Sequence, residues 1–288
     1  MAAAYLRLAR PKQWIKNVLV FAAPGAAGVL TEAAPLIRTS ISFLAFGLAA
    51  SGTYAWNDAL DAESDRNHPT KRIRPVASGA ISPLAAKVFG VACFIGASAV
   101  GFAINRNLGT AIVAYIVLTL LYSMKLKHEP VLDLVAVASG FVIRTVGGGA
   151  AGEVRISTWF LIVAGAGSLF IVTGKRTAEV KLLGTKATSH RKALEGYSDS
   201  FLLYVRSVSS SVAILGYCLW AFQFSEQAGN STWFELSIVP FVVGMLRYSL
   251  LLEHGEGGAP EDLVLADPVL LGVGVSWVAV FAAAVYLL

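Results

Sequence analysis

Nine apolar runs of membrane-spanning length fall near residues 17–36, 39–56, 84–104, 108–123, 131–150, 156–174, 200–222, 233–252 and 268–287. About 20 residues at helical rise cross a hydrocarbon core of about 30 Å. Inside hydrocarbon every backbone N–H and C=O must pair within its own segment, so each run is expected to be a helix. The expected fold class is all-α, a polytopic transmembrane helical bundle of about nine spans. Pro24-Gly25 falls inside the first run, so that span is expected to be broken. Only 14% of the 288 residues are charged, where a soluble domain carries about 25%, and 56% are hydrophobic. The whole chain, 1–288, therefore reads as a single transmembrane catalytic domain. The N-terminus is basic and then apolar like a signal peptide, but the many further spans argue against cleavage.

Charge alternates along the connections. One set holds Arg7, Arg10, Lys12 and Lys16, then Arg66, Lys71, Arg72 and Arg74, then Lys125 and Lys127. It continues with Lys175, Arg176, Lys181, Lys186, Arg191 and Lys192, whereas the alternate set holds Arg38, Arg106 and Arg155. The positive-inside rule then places the N-terminus and the loops after spans 2, 4 and 6 in the cytoplasm of a plasma-membrane protein. The acidic segment 253–267 would also be cytoplasmic, which the rule permits because acids count little. The longest loops, 57–83 and 175–199, lie four spans apart and hint at two similar halves, without any residue-level repeat. The net charge of +5 fits loop bias and phosphate affinity. No basic stripe interleaved with aromatics suggests a nucleic-acid partner. Cys93 and Cys218 sit in apolar runs as small hydrophobes, and His68, His128, His190 and His254 are scattered over separate loops. Gly147-Gly148-Gly149-Ala150-Ala151-Gly152 ends a span on the outer side, where small residues allow close helix approach.

The polar stretch Asn57-Asp58-Ala59-Leu60-Asp61-Ala62-Glu63-Ser64-Asp65 follows span 2 directly. In a helix Asn57, Asp61 and Asp65 recur at i, i+4 and i+8 and share one face. Their oxygens repel one another with no Lys or Arg between them, and hard oxygen ligands suit Mg²⁺. Arg66, Lys71, Arg72 and Arg74 come next. Acids that hold a metal, followed by bases that hold what the metal holds, suggest a magnesium-diphosphate site with Asn57, Asp61 and Asp65 as ligands and Asp58 assisting.

The motif N-D-x-x-D-x-x-x-D resembles the first aspartate-rich motif of the UbiA superfamily of intramembrane prenyltransferases. The resemblance extends over nearly the whole chain in span count and loop placement. It implies a helical bundle with a central cavity open to the cytoplasm and a second aspartate-rich loop after span 6. That second loop departs from the family pattern: Gly174-Lys175-Arg176-Thr177-Ala178-Glu179 offers one acid and two cations, with Asp199 distant. The departure resembles a narrower branch, the decaprenyl-phosphate phosphoribosyltransferases of actinobacterial cell-wall synthesis. Three further segments share this resemblance: Arg10-Pro11-Lys12-Gln13-Trp14-Ile15-Lys16-Asn17, Tyr122-Ser123-Met124-Lys125-Leu126-Lys127 with Pro130-Val131-Leu132-Asp133, and Gly140-Phe141-Val142-Ile143-Arg144. In that branch, the resemblance implies, 5-phosphoribosyl 1-diphosphate is the donor and a polyprenyl (decaprenyl) phosphate is the nucleophile. The product serves arabinan and arabinogalactan precursor synthesis.

A donor with phosphate at both ends needs a second cation pocket. Lys16, Lys71, Arg74, Lys125, Lys127, Lys175 and Arg176 are candidates, beside Glu179; singly, most of these lysines also read as positive-inside anchors. Tyr54 and Tyr122 close spans 2 and 4 as ordinary interfacial aromatics and are added as substrate-binding candidates. Arg144 lies about thirteen residues into its span, where a charge is expensive, so it is expected to meet a phosphate or a carboxylate of another helix. Asp133 on the same span is about 16 Å away along the helix and cannot be that partner. Arg206 and Arg247 read as interfacial anchors. Asp58, Asp61 and Arg144 are the catalytic candidates. The anionic acceptor needs no general base. Alternatives are an aromatic or haem-type prenyltransferase using prenyl diphosphate, and a carrier; clustered acids at one mouth disfavour the carrier. Self-association into a homo-oligomer is left open.

Overall fold

The computed structural model describes residues 2–183, 196–229, 232–254 and 260–287. Lys186, Arg191 and Lys192, counted above for orientation, lie with the rest of 184–195 in loop 175–199 outside the described residues. Among the described residues there is no strand, and eight helices are long and apolar enough to cross a membrane. They are α1 Ala33–Leu60, α2 Pro83–Ile104, α3 Arg106–Met124, α4 Leu132–Gly152, α5 Thr158–Leu183 and α6 Asp199–Gln227. The short helix Thr232–Leu236 leads into α7 Ile238–Glu253, the two together making the seventh span, Thr232–Glu253, and α8 Pro268–Tyr286 is the eighth. Residues 1–124 with 143–155 form one compact unit, and 125–142 with 156–288 form another; α4 contributes to both.

The first apolar run is not an α-helix. It is a 3₁₀ helix over Pro11–Phe21, one α-turn over Ala22–Ala26 and a 3₁₀ turn over Val29–Thr31, with residues 33–36 already in α1. Pro11 opens the 3₁₀ run after a left-handed Arg10 (φ 51°), and Gly28 (φ 76°) turns the chain into the next piece. An 11-residue 3₁₀ run is far longer than usual. At about 2 Å per residue it advances roughly 22 Å, more than an α-helix of equal length. It runs alongside α1: Trp14 Nε1 donates to Ser51 Oγ (3.1 Å), and Ser51 Oγ also donates to the Ala9 carbonyl (2.9 Å). Eight α-helical spans and this irregular passage thus account for the nine apolar runs.

Two close approaches fix the first unit. A Cβ on Gly148 would collide with the carbonyl oxygen of Val20, so α4 touches the backbone of the irregular passage there. Gly52 and Gly90 bring α1 and α2 together, since a Cβ on Gly52 would stand 2.9 Å from the Gly90 carbonyl oxygen. Phe46, Leu108, Ile112 and Tyr115 fill the space behind them. The glycine run in α4 therefore does what its composition implied.

In the second unit, Leu134, Val172, Tyr197 and Leu202 pack α4, α5 and α6 together. Tyr217, Trp220, Phe234 and Trp277 form an aromatic cluster towards the other end of α6. Its polar atoms are satisfied internally: Trp277 Nε1 donates to Tyr217 Oη (2.8 Å), which also lies 2.7 Å from Ser237 Oγ. Arg206 and Arg247, expected as interfacial anchors, are instead ion-paired with Glu253 and Asp267 respectively. Arg247 and the Leu270 N–H hold the Asp267 carboxyl below the usual carboxylate range. Asp267 thereby caps α8.

Gly148→Ala is expected to destabilise the protein by about 1–3 kcal/mol, because a backbone carbonyl cannot move aside for the new methyl. Gly167→Ala, at a helical position with no neighbour within 4 Å of the added Cβ, is expected to be neutral or to stabilise by up to about 1 kcal/mol. Thermal unfolding of both purified variants in detergent checks the pair.

Candidate functional site

The acidic stretch is mostly helical rather than a loop. α1 runs on through Asn57–Leu60, bends at Asp61 and resumes as the short helix Ala62–Arg66. Backbone bonds bridge the bend, from Asp61 N to Asn57 O (2.9 Å) and from Asp65 N to Asp61 O (2.8 Å). The buried acids are Asp58 and Asp65, seven residues apart, while Asn57 and Asp61 are half-buried. Asp58, 1% exposed, is the hub of the ion-pair cluster. Arg10 Nη2 donates to its Oδ1 at 2.6 Å, and Arg74 Nη1 approaches the same oxygen at 3.4 Å. Arg74 Nη1 also reaches Asp65 Oδ2 at 2.7 Å. The Arg10 guanidinium stands 5.1 Å from the centre of the Tyr54 ring, giving that tyrosine a cation–π partner.

Two acceptors in this cluster are buried and have no hydrogen-bond partner: Asn57 Oδ1 and Asp58 Oδ2. An unsatisfied buried acceptor costs about 1–3 kcal/mol, and more on a charged group. An amide oxygen and a carboxylate oxygen left without partners are hard donors of the kind a cation such as Mg²⁺ prefers. Among the described residues no three His, Cys, Asp or Glu side chains make a ready-made metal cluster. A cation here would take few protein oxygens and complete its shell from water and a ligand. Lys71 is half-buried in the following turn, where His68 Nδ1 accepts from the backbone N–H groups of Thr70 (3.3 Å) and Lys71 (3.4 Å).

Arg144 lies deep in the first unit, 7% exposed. Its Nε donates to Asn17 Oδ1 and its Nη2 to the Tyr115 hydroxyl, each at 2.7 Å. Its guanidinium carbon lies 4.6 Å from the Tyr115 ring centre. An amide and a phenol are thus two of its partners, and they orient the guanidinium. Lys16, next to Asn17, is half-buried, as is Tyr122 near the end of α3.

In the second unit α5 continues to Leu183, so Lys175, Arg176 and Glu179 are helical. Arg176, 3% exposed, meets Asp133, 0% exposed, with Nε on Oδ2 at 2.6 Å and Nη2 on Oδ1 at 3.1 Å. Its Nη1 donates to Glu179 at 2.8 Å. Arg176 is therefore bound to two carboxylates, and Asp133, which could not reach Arg144, is answered from another helix. Lys175 and Lys127 are half-buried and Lys125 is exposed. Arg10 and Asp133 are the charged partners that spacing arguments did not pair; both stand inside segments that carried the family resemblance.

The UbiA prenyltransferase family pattern matches residues 18–266 of this chain. A decaprenyl-phosphate phosphoribosyltransferase of Corynebacterium glutamicum is 39% identical over 295 residues, covering 100% of this chain and 88% of the relative. The protein of that name from Mycobacterium tuberculosis is 39% identical over 289 residues, covering 99% and 95%. Among solved structures, a UbiA homolog from Archaeoglobus fulgidus bound to DMAPP and Mg²⁺ superposes with a TM-score of 0.75 at 19% identity, covering 98% of each chain.

Asp133→Ala is expected to destabilise the protein by about 3–5 kcal/mol, because it leaves Arg176 as a buried charge missing its main partner. Combining it with Arg176→Met should recover much of that loss. A double-mutant cycle on thermal unfolding checks the coupling.

Proposed function

Because the chain belongs to the UbiA prenyltransferase family, we propose that it moves the 5-phosphoribosyl group of 5-phosphoribosyl 1-diphosphate onto a polyprenyl phosphate, decaprenyl phosphate in the first instance, and releases diphosphate. The observation that carries this reading is identity of 37–39% over essentially the whole chain to phosphoribosyltransferases of that acceptor. By contrast, the digeranylgeranylglyceryl phosphate synthase of Methanopyrus kandleri is 34% identical over only 47% of the chain. In this reading the protein sits in the plasma membrane with its N-terminus and acidic cluster facing the cytoplasm, and its product feeds arabinan cell-wall precursors.

Mg²⁺ would be held by Asn57 and Asp58, whose free oxygens face no other partner, with Asp61 and Asp65 beside them. Bound there, it would neutralise the donor diphosphate and make it a better leaving group. Arg10 and Arg74 fix the Asp58 carboxylate, so that its second oxygen is presented rather than turned away. Lys16, Lys71 and Arg144 supply positive charge for phosphate groups, and Asn17 and Tyr115 hold the Arg144 guanidinium in a set orientation. The acceptor phosphate oxygen is anionic near neutral pH and attacks ribose C1 as the C1–O bond to diphosphate breaks, with inversion at C1. No proton has to be removed from such a nucleophile, so the side chains act by positioning and by charge.

Membranes containing the protein are expected to incorporate label from phosphoribosyl diphosphate into a polyprenyl-phosphate lipid, and not label from a prenyl diphosphate. Incorporation from the prenyl diphosphate alone would overturn the donor assignment. Asp61→Ala should lower turnover by at least about 100-fold while the protein still inserts and folds. Arg144→Ala should lower turnover by at least about tenfold. A change confined to thermal stability would show Arg144 to be a structural charge only.

A further inference from the structure

A second buried arginine remains outside this chemistry. Arg206, 5% exposed, lies seven residues into α6, about 10 Å along its axis from Asp199. Its Nη2 pairs with Glu253 at the end of α7, but its Nε and Nη1 are buried and have no hydrogen-bond partner. Leaving two guanidinium donors unsatisfied is costly, and more so in a lipid-embedded segment without bulk water. The side chain lines a groove of about 330 Å³ whose wall carries the hydroxyl-bearing residues Ser207, Ser210 and Ser249. Lys181 stands 3.8 Å from Glu253 on the other side. Among the described residues, two cations thus stand against this one carboxylate.

We propose that this groove between α6 and α7 binds the phosphate of a membrane lipid headgroup. The free N–H groups of Arg206 are charge-assisted donors to a phosphate oxygen, and the Ser207 and Ser249 hydroxyls donate to its remaining oxygens, while Ser210 donates to the Ser207 carbonyl. A lipid fits better than a soluble anion, because Leu203 and Leu250 are exposed at the rim of the groove and offer an acyl chain an apolar path. The depth also suits a headgroup, since Glu253 is the last residue of its helix and Arg206 lies within two to three turns of the start of its own. None of these residues belongs to the acidic cluster, to the surroundings of Arg144 or to the Arg176 pair.

Native mass spectrometry of the full-length protein in detergent tests this with three probes: phosphatidylglycerol, diacylglycerol and inorganic phosphate. The wild type is expected to retain phosphatidylglycerol and not diacylglycerol, and millimolar inorganic phosphate should not displace the lipid. Arg206→Gln should retain about tenfold less phosphatidylglycerol. Ser249→Leu leaves the Arg206–Glu253 pair intact and fills the groove, so it should show a similar loss with an unchanged circular dichroism spectrum, even where Arg206→Gln folds poorly. Wild-type retention by a folded Arg206→Gln or by Ser249→Leu, or equal retention of diacylglycerol, would overturn the proposal. Displacement by inorganic phosphate would overturn its assignment to a lipid.

Discussion

A carboxylate removed from water inside a membrane protein must be answered by positive charge, and Asp58 is answered twice. Arg10 reaches it from the segment before the irregular passage, and Arg74 from the turn beyond the acidic stretch. Three pieces of chain that are distant in sequence are tied at the last turn of α1. Breaking either pair would expose a buried charge to low dielectric, which is far more destabilising than an exposed pair would suggest. One Asp58 oxygen is consumed in this clamp, while the other, like the amide oxygen of Asn57, has no hydrogen-bond partner. The clamp therefore ties the fold together at the residue that also keeps one oxygen without a partner.

The same scarcity of water shapes the passage before α1. Its 3₁₀ geometry keeps backbone groups paired while stretching 11 residues further than an α-helix would. That reach lets Trp14, Asn17 and Val20 meet successive levels of α1 and α4. Asn17 then serves Arg144, and Val20 presses its carbonyl against Gly148. Close packing and the orientation of a deep cation are thus two results of one irregular segment.

Much of this was legible in the residues. The apolar runs gave the number and order of the crossings, and the interruption at Pro24-Gly25 marked the irregular one. Periodicity could not show that residues 11–21 adopt three residues per turn, because so short a run fits either repeat. Spacing also selected Asn57, Asp61 and Asp65 as a common face. The structure buries Asp58 and Asp65, because the face that matters is chosen by where Arg10 and Arg74 approach, and that is a tertiary fact. Helix rise correctly separated Asp133 from Arg144 but could not supply Arg176 as its true partner. Arg206 and Arg247 looked like anchors because their partners Glu253 and Asp267 lie 47 and 20 residues further along the chain.

The central claim is that the end of α1 holds a divalent ion that also touches the donor's diphosphate. Electron–nuclear double resonance of Mn²⁺ substituted into the purified protein, in the presence of phosphoribosyl diphosphate, tests it most directly. The account predicts ³¹P couplings to a protein-bound Mn²⁺ in the wild type, and loss of the bound-ion signal when Asn57 and Asp58 are replaced by Leu and Asn. A bound-ion signal with the same couplings in that double variant would contradict it.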